Sequence, residues 1–163
     1  QPEFIDGHHN AHQYPTVRDV VVRFIERNNL KNKLYIRNTA HRWKAVIGKP
    51  DWVKTTCISF FGFVFKQKLL AHGLQTNESF GGVYDLTHSA DFENKFKNFL
   101  LFADRKNAII MIHPGKSDST LEERDSFNKG REIEENFLLQ DSFLELLNNQ
   151  NIILGKYHLK EVL

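Results

Sequence analysis

The sequence predicts an α/β fold in which a mainly parallel sheet is flanked by helices. Three observations carry that expectation. Short β-favouring runs alternate with longer stretches whose apolar residues recur at three and four, in the order strand, helix, strand, helix, strand, helix, strand, helices, strand. Ala108 to Ile112 is a continuous apolar run of the kind a strand buried on both faces requires. That run stops at His113-Pro114-Gly115, and polar residues at strand ends are where α/β proteins place their sites. With 163 residues, 40% of them hydrophobic, the chain can bury one core, so residues 1–163 are expected to form a single domain.

The first element is a strand over Phe4-Ile5-Asp6-Gly7-His8. It begins with almost no lead-in after Gln1, which predicts an N-terminal half beyond this sequence. Tyr14-Pro15-Thr16 then sets a turn, with Pro suited to a first helical turn and Thr16/Asp19 spaced as a short capping pair. A helix to about Asn28 follows, with Val17, Val20, Val21, Phe24 and Ile25 as its apolar stripe. Leu34 to Arg37 reads as a short strand ending in a charge. A long helix is expected from Asp51 to about His72, stopped by Gly73, with Val53, Cys57, Phe60, Phe61, Val64, Phe65 and Leu69 on its apolar face. Gly62 lies inside it and could break it, at a cost of about 1 kcal/mol relative to Ala.

Thr76 to Leu86, with Gly81-Gly82, reads as a loop leading into a strand at Val83-Tyr84-Asp85. Ser89 or Asp91 should cap a helix that aligns Phe92, Phe96, Phe99 and Leu100. After the strand at Ala108 to Ile112, helical pieces are expected at Glu132 to Gln140 and Ser142 to Asn149, and a closing strand at Asn151 to Leu154. There is no internal repeat, linker or low-complexity tract.

Composition narrows the function. A formal charge of +2, from 22 basic and 20 acidic residues, lacks the excess that tracks phosphates, which argues against nucleic acid. The apolar run Cys57 to Phe65 is too short to cross a bilayer and no secretory leader opens the sequence, so neither a membrane role nor export is expected and a cytoplasmic address follows. The single cysteine, Cys57, allows no internal disulfide and no Cys-based zinc site.

Metal chemistry would then rest on His, Asp and Glu. In an extended chain Asp6, His8, Asn10 and His12 would share one face, a polar ladder suited to a cleft or a divalent ion; a solvated turn or an expression tag is the plainer reading. His113 reads as a general acid or base at a strand end, or as a satisfied core histidine. Arg37 could hold a carboxylate through a forked contact, or form a surface ion pair. His41, His72, His88 and His158 lack companions and read as structural or exposed. The aromatic helix from Trp52 to Leu70 reads as core, since its lysines supply a polar side. Glu122 to Asp125 and Glu132 to Glu135 read as solvated helix ends and faces.

Several of these segments, in this order, resemble one family. Phe4 to Pro15 looks like the Asp-(Ser/Gly)-His-x-His-x-His segment of YdjC-like carbohydrate deacetylases. Tyr35-Ile36-Arg37 looks like their strand-end arginine, Phe80 to Asp85 like their Phe-x-Gly-x-Tyr segment, and Met111 to Gly115 like their Met-x-His-Pro-Gly motif. The resemblance covers nearly the whole chain. It implies part of a (β/α)-barrel-like fold and a metal-dependent hydrolase that removes acetyl groups from N-acetylated amino sugars or chitooligosaccharides. The metal would be Mg2+, with Zn2+ as the alternative, and His8 the one ligand present; the others would lie upstream. Under the same mapping His113 is the acid that protonates the leaving amine, Asp6 orients an imidazole, Arg37 holds a catalytic carboxylate, and His12, Asn10 and Tyr84 contact substrate. The middle histidine of the family pattern is Asn10 here. With ligands missing, these residues alone would have little or no activity. A different reading is a non-catalytic sugar-binding or assembly module, because a partial barrel has unpaired strand edges that invite self-association. A phosphoesterase would need a second carboxylate cluster, and none is evident.

Overall fold

The computed structural model of the chain describes residues 2–41, 52–85, 90–102, 107–125 and 127–155. Asp51, Ser89, His88 and His158 lie outside them.

A parallel sheet forms from β1 (Phe4–Ile5), β2 (Tyr35–Ile36) and β3 (Gln75–Thr76), in that order, with Phe4 opposite Tyr35 and Ile36 opposite Thr76. A second parallel pair joins β4 (Ser79–Gly81) to β5 (Ala108–Ile110), with Phe80 opposite Ile109. Only Asn77 and Glu78 separate β3 from β4, so one stretch of chain serves both sheets and changes neighbour at that break. The helices are α1 (Pro15–Arg27), α2 (Trp52–Ala71), α3 (Phe92–Phe102), α4 (Ser119–Arg124), α5 (Asn128–Leu138) and α6 (Asp141–Asn149). The predicted α/β architecture, with short parallel strands and flanking helices, is therefore present. Among the described residues no helix is long and apolar enough to cross a membrane.

Among the described residues, two apolar clusters hold it together. Val22 and Ile25 of α1 and Phe65 and Leu69 of α2 close on Leu34, Ile36 and Leu74. The second is mostly aromatic: Tyr84, Phe92, Phe96, Leu100, Phe137, Phe143 and Leu147, ringed by Phe99, Ile110 and Ile112. Phe96 sits 5.4 Å from Phe137 and 5.6 Å from Phe143, ring centre to ring centre, within the range in which tilted aromatic pairs attract. Truncating it, Phe96→Ala, is expected to cost about 3 to 5 kcal/mol, read from a urea unfolding midpoint.

The structure corrects several expectations. The first strand ends at Ile5, and His8–Gln13 form a short 3₁₀ helix in which His9 (φ 53°) and Asn10 (φ 60°) are left-handed. In α1 the buried face is Val22 and Ile25, while Val17, Val20 and Phe24 are exposed. Six apolar residues crowd this helix, so the sequence offers two faces, and the one aligned with Ile36 and Phe65 is used. The Thr16/Asp19 pair makes no cap; Asp19 instead accepts from Lys68 at 2.6 Å, a contact that holds its carboxyl below the usual range. No strand forms at Val83–Asp85, and the predicted loop before it contains the end of β3 and all of β4. The Ala108 run is strand only to Ile110 and half-buried rather than covered on both faces, because β4 is its only paired strand among the described residues. Asn151 to Leu154 is turn and coil, with Ile153 92% exposed.

Helix α2 shows why pattern alone misplaced its face. Its buried residues are Thr55, Ser59, Gly62, Phe65 and Leu69, and Val53 and Phe60 are exposed. Small residues let the helix lie against the backbone that leaves β2: Ser59 Oγ accepts from the His41 N–H at 2.9 Å, and Thr39 Oγ1 donates to the Ile58 carbonyl at 2.9 Å. Gly62 does not break the helix. A Cβ there would stand 2.4 Å from the Thr39 carbonyl carbon, so Gly62→Ala, ordinarily favourable in a helix, is expected to destabilise by at least about 1 to 3 kcal/mol in thermal unfolding.

Candidate active site

In parallel sheets the loops leaving the carboxyl ends of strands gather on one side, and that side carries the polar residues here. Asp6 follows β1, Arg37 and Asn38 follow β2, Asn77 follows β3, Tyr84 comes shortly after β4, and His113 after β5. They form two groups.

The first group is built on Arg37. Its guanidinium is almost wholly buried, donates from Nε to Asp6 Oδ1 at 2.8 Å and from Nη2 to the same oxygen, and reaches Asn10 Oδ1 at 3.0 Å. The Phe80 ring lies 5.0 Å from its Cζ, in cation–π range. Asn10 meets Arg37 because the chain turns left-handed there, a conformation that Asn tolerates better than most residues. The departure from the family's histidine is thereby given a job: its amide oxygen helps fix the arginine.

The polar ladder does not exist, because the 3₁₀ segment sends its members in different directions. Asp6 and Asn10 turn to Arg37. His8 is exposed with its ring 4.1 Å from that of His9. His12 is buried, edge-on to Phe65 at 5.6 Å, with Nε2 2.8 Å from the Arg37 carbonyl. That carbonyl can only accept, so Nε2 carries the proton. Burial, opposed by this hydrogen bond, holds the His12 pKa below its ordinary 6.5. A histidine whose folded pKa is lowered contributes stability that is complete above about 6.5 and declines as pH falls from there towards the folded value. The melting temperature is therefore expected to drop between pH 7.5 and 5.5, and His12→Gln, which keeps a donor without the titration, should flatten that drop.

Behind this group lies a buried polar knot that sequence patterning does not reveal. Asn38 donates from its amide to the Asn77 carbonyl at 2.7 Å, Asn77 returns a donation to the Asn38 carbonyl at 2.9 Å, and Gln13 Oε1 accepts from Thr39 N–H at 2.9 Å. Polar residues next to strand ends were the only available signal.

The second group is built on Glu134, which the sequence places among solvated residues. It is fully buried. One carboxylate oxygen accepts from the Tyr84 hydroxyl, the other from the His113 backbone N–H, and the first lies 3.8 Å from His113 Nδ1. Burial raises the carboxyl's pKa, but His113 and the Tyr84 hydroxyl outweigh it, leaving the group below its ordinary value and ionised. Burial, and then the carboxylate, push the Tyr84 phenol well above its usual range, so it remains a donor. Glu132, two residues earlier, accepts from the Ser117 N–H at 2.9 Å, and the Arg131 carbonyl from the Gly115 N–H at 3.3 Å. Helix α5 thus grips the loop from His113 to Ser117 at three points.

The structure accordingly unites Asp6, Arg37, Asn10 and, through the Arg37 backbone, His12. It unites Tyr84 with His113 through Glu134. His8 joins neither group. Among the described residues no three His, Cys, Asp or Glu side chains cluster closely enough to hold a metal ion, and the Asp6 carboxylate is already engaged by Arg37. These residues do not by themselves fit a metal; His8, like its neighbour His9, is an exposed imidazole available as a ligand.

A YdjC-like protein family model matches residues 1–149. The chain belongs to the YdjC-like family. That family is one of carbohydrate hydrolases and deacetylases in general. No curated protein matches the chain. Among solved structures, the crystal structure of a "putative cellobiose-phosphate cleavage protein" from Enterococcus faecalis is similar at a TM-score of 0.63 and 16% identity. The match covers 95% of this chain and 51% of that one, so this YdjC-like chain spans about half the length of its solved structural neighbour. At that identity the likeness concerns the fold, and it agrees with the parallel strands and flanking helices described above.

Proposed function

We propose that a longer YdjC-like chain carrying these residues is a metal-dependent hydrolase that removes the acetyl group from an N-acetylated amino sugar or chitooligosaccharide. The observation that carries this reading is His113, held at a strand's carboxyl end over a buried carboxylate, in a chain of this family. Amides resist water because resonance protects the carbonyl and an amine leaves poorly. In the proposed reaction the oxygen of water adds to the acyl carbon as its proton passes to a base outside the described residues. The C–N bond then breaks, the amine departs with a proton from His113, and acetate is released. The proton taken from water returns to the ring through solvent. Arg37, locked by Asp6 and Asn10, has its buried Nη1 left without a partner among the described residues, and that nitrogen is proposed to hold a catalytic carboxylate of the longer chain. A divalent cation, Mg2+ or Zn2+, would polarise the acyl oxygen; His8 is proposed as one of its ligands, with the remaining donors outside the described residues. The proposed address is cytoplasmic. The test is acetate release from N-acetylglucosamine oligomers by the longer chain, with and without chelator: release that chelator abolishes supports the reading, and no release from any N-acetyl sugar removes it.

A second reading is favoured by one observation, the exposed apolar face of α1 at Val17, Val20 and Phe24, with Phe60 and Trp52 exposed on α2. Under it the 163-residue chain is an assembly module. Sedimentation should then show a dimer or larger species at micromolar concentration, and a monomer at all concentrations would dismiss it.

A further inference from the structure

We propose that Glu134 is a positioning residue for His113: its buried carboxylate holds the imidazole proton on Nδ1 and turns Nε2 towards the open side. The inference rests on the reading of His113 as the group that hands a proton to the leaving amine.

Geometry carries it. His113 Nδ1 is buried with no hydrogen-bond partner among the described residues, yet the side chain as a whole is 29% exposed, so the exposure belongs to the rest of the ring. Glu134 Oε1 faces that nitrogen at 3.8 Å, longer than a hydrogen bond but well within the reach of charge. Side-chain contacts at catalytic pairs are commonly long until substrate is bound, and a small rotation of the ring would close this one. The carboxylate's neutral donors, the Tyr84 hydroxyl and the His113 N–H, satisfy lone pairs without cancelling its charge. An ionised carboxylate out of water favours a proton on the group it faces, and that group is His113 Nδ1. Asp125 also acts on His113 electrostatically, but its oxygens are engaged by the Phe127 N–H at 2.9 Å and by Arg131 at 2.9 Å and 2.8 Å, so it is already neutralised. The nitrogen that faces a carboxylate keeps the proton, and the other nitrogen is left free for chemistry.

A purely structural role would be to anchor the loop through the His113 N–H. The two roles separate in the Glu134→Gln variant. Glutamine has one carbonyl oxygen to accept from that N–H and an amide NH2 to place opposite Nδ1, which then needs a lone pair there. The experiment is long-range 1H–15N correlation on 15N-histidine-labelled protein, in the 163-residue chain at pH 7.5, with circular dichroism as the check on folding. In the wild type the Nδ1–H form of His113 should exceed the Nε2–H form at least about tenfold, as a hydrogen bond to a charged group implies. In Glu134→Gln the preference should reverse, and in Tyr84→Phe it should persist. A wild-type ring protonated on Nε2 overturns the proposal even if the glutamine variant fails to fold, and so does an unchanged Nδ1–H form in a folded Glu134→Gln. Turnover is not needed for this readout. An Nδ1–H ring in a longer chain that releases no acetate would sink the deacetylase reading and leave the positioning of His113 standing.

Discussion

Replacing His113 by alanine in a longer YdjC-like chain is expected to lower turnover of an N-acetyl sugar by about 100- to 10,000-fold, the usual worth of a positioned proton donor. The loss should fall on kcat, with KM and metal content nearly unchanged, because the imidazole is asked to act only as the C–N bond breaks. Substrates with a better leaving group need that proton less. An activated acetyl ester should therefore suffer a smaller loss than the amide, and equal losses on both would speak against proton donation. The fold should survive, since the ring is partly exposed and the loop is anchored by backbone groups: the His113 N–H to Glu134, and the Gly115 N–H to the Arg131 carbonyl at 3.3 Å. A variant with wild-type kcat on the amide would remove His113 from the chemistry.

The second large effect is expected at Gly82. It has φ +93°, where side chains are strained, and an added Cβ would stand 2.0 Å from the Met111 carbonyl oxygen. Two costs add: a left-handed backbone, about 1 to 2 kcal/mol for a residue with a Cβ, and forced overpacking, about 1 to 3 kcal/mol. Gly82→Ala should thus destabilise by about 2 to 5 kcal/mol in urea unfolding. The clash lies where the Met111 N–H pairs with the Gly81 carbonyl at 3.0 Å, just before His113 and just before Tyr84. Relief by moving either strand end would also displace Tyr84 from Glu134, so the same variant should lose activity beyond its loss of stability. An unfolding midpoint equal to wild type would show that the turn can relax without cost.

Element type and order were legible where one period dominates. The phenylalanines at positions 92, 96 and 99 with Leu100 predict α3 and its face, and the Gly73 stop predicts the end of α2 within two residues. Faces failed where apolar residues were too many or the contact too close. Helix α1 offers two stripes, and α2 buries Thr55, Ser59 and Gly62 because a nearby backbone accepts small residues better than Phe60 or Val53. The strand-end residues Asp6, Arg37 and His113 were legible from position and type. Their partners were not: Glu134 looks solvated among neighbouring acids, and only the fold shows that α5 turns it inward beneath His113. The extended ladder failed because two left-handed residues, His9 and Asn10, reverse the chain within a segment that alternation would keep straight.

The break at Asn77–Glu78 leaves two apolar clusters with no residue in common, one mostly aliphatic beneath β1 to β3 and one mostly aromatic around β4 and β5. Amide protons in the two halves should therefore exchange with different opening energies, as separate cooperative units hinged on the reciprocal Asn38–Asn77 pair. Arg37 belongs to one unit and His113 to the other. A sugar gripped by both would tie the units into one, and slowed exchange across the weaker of them would register its arrival before any bond is cut.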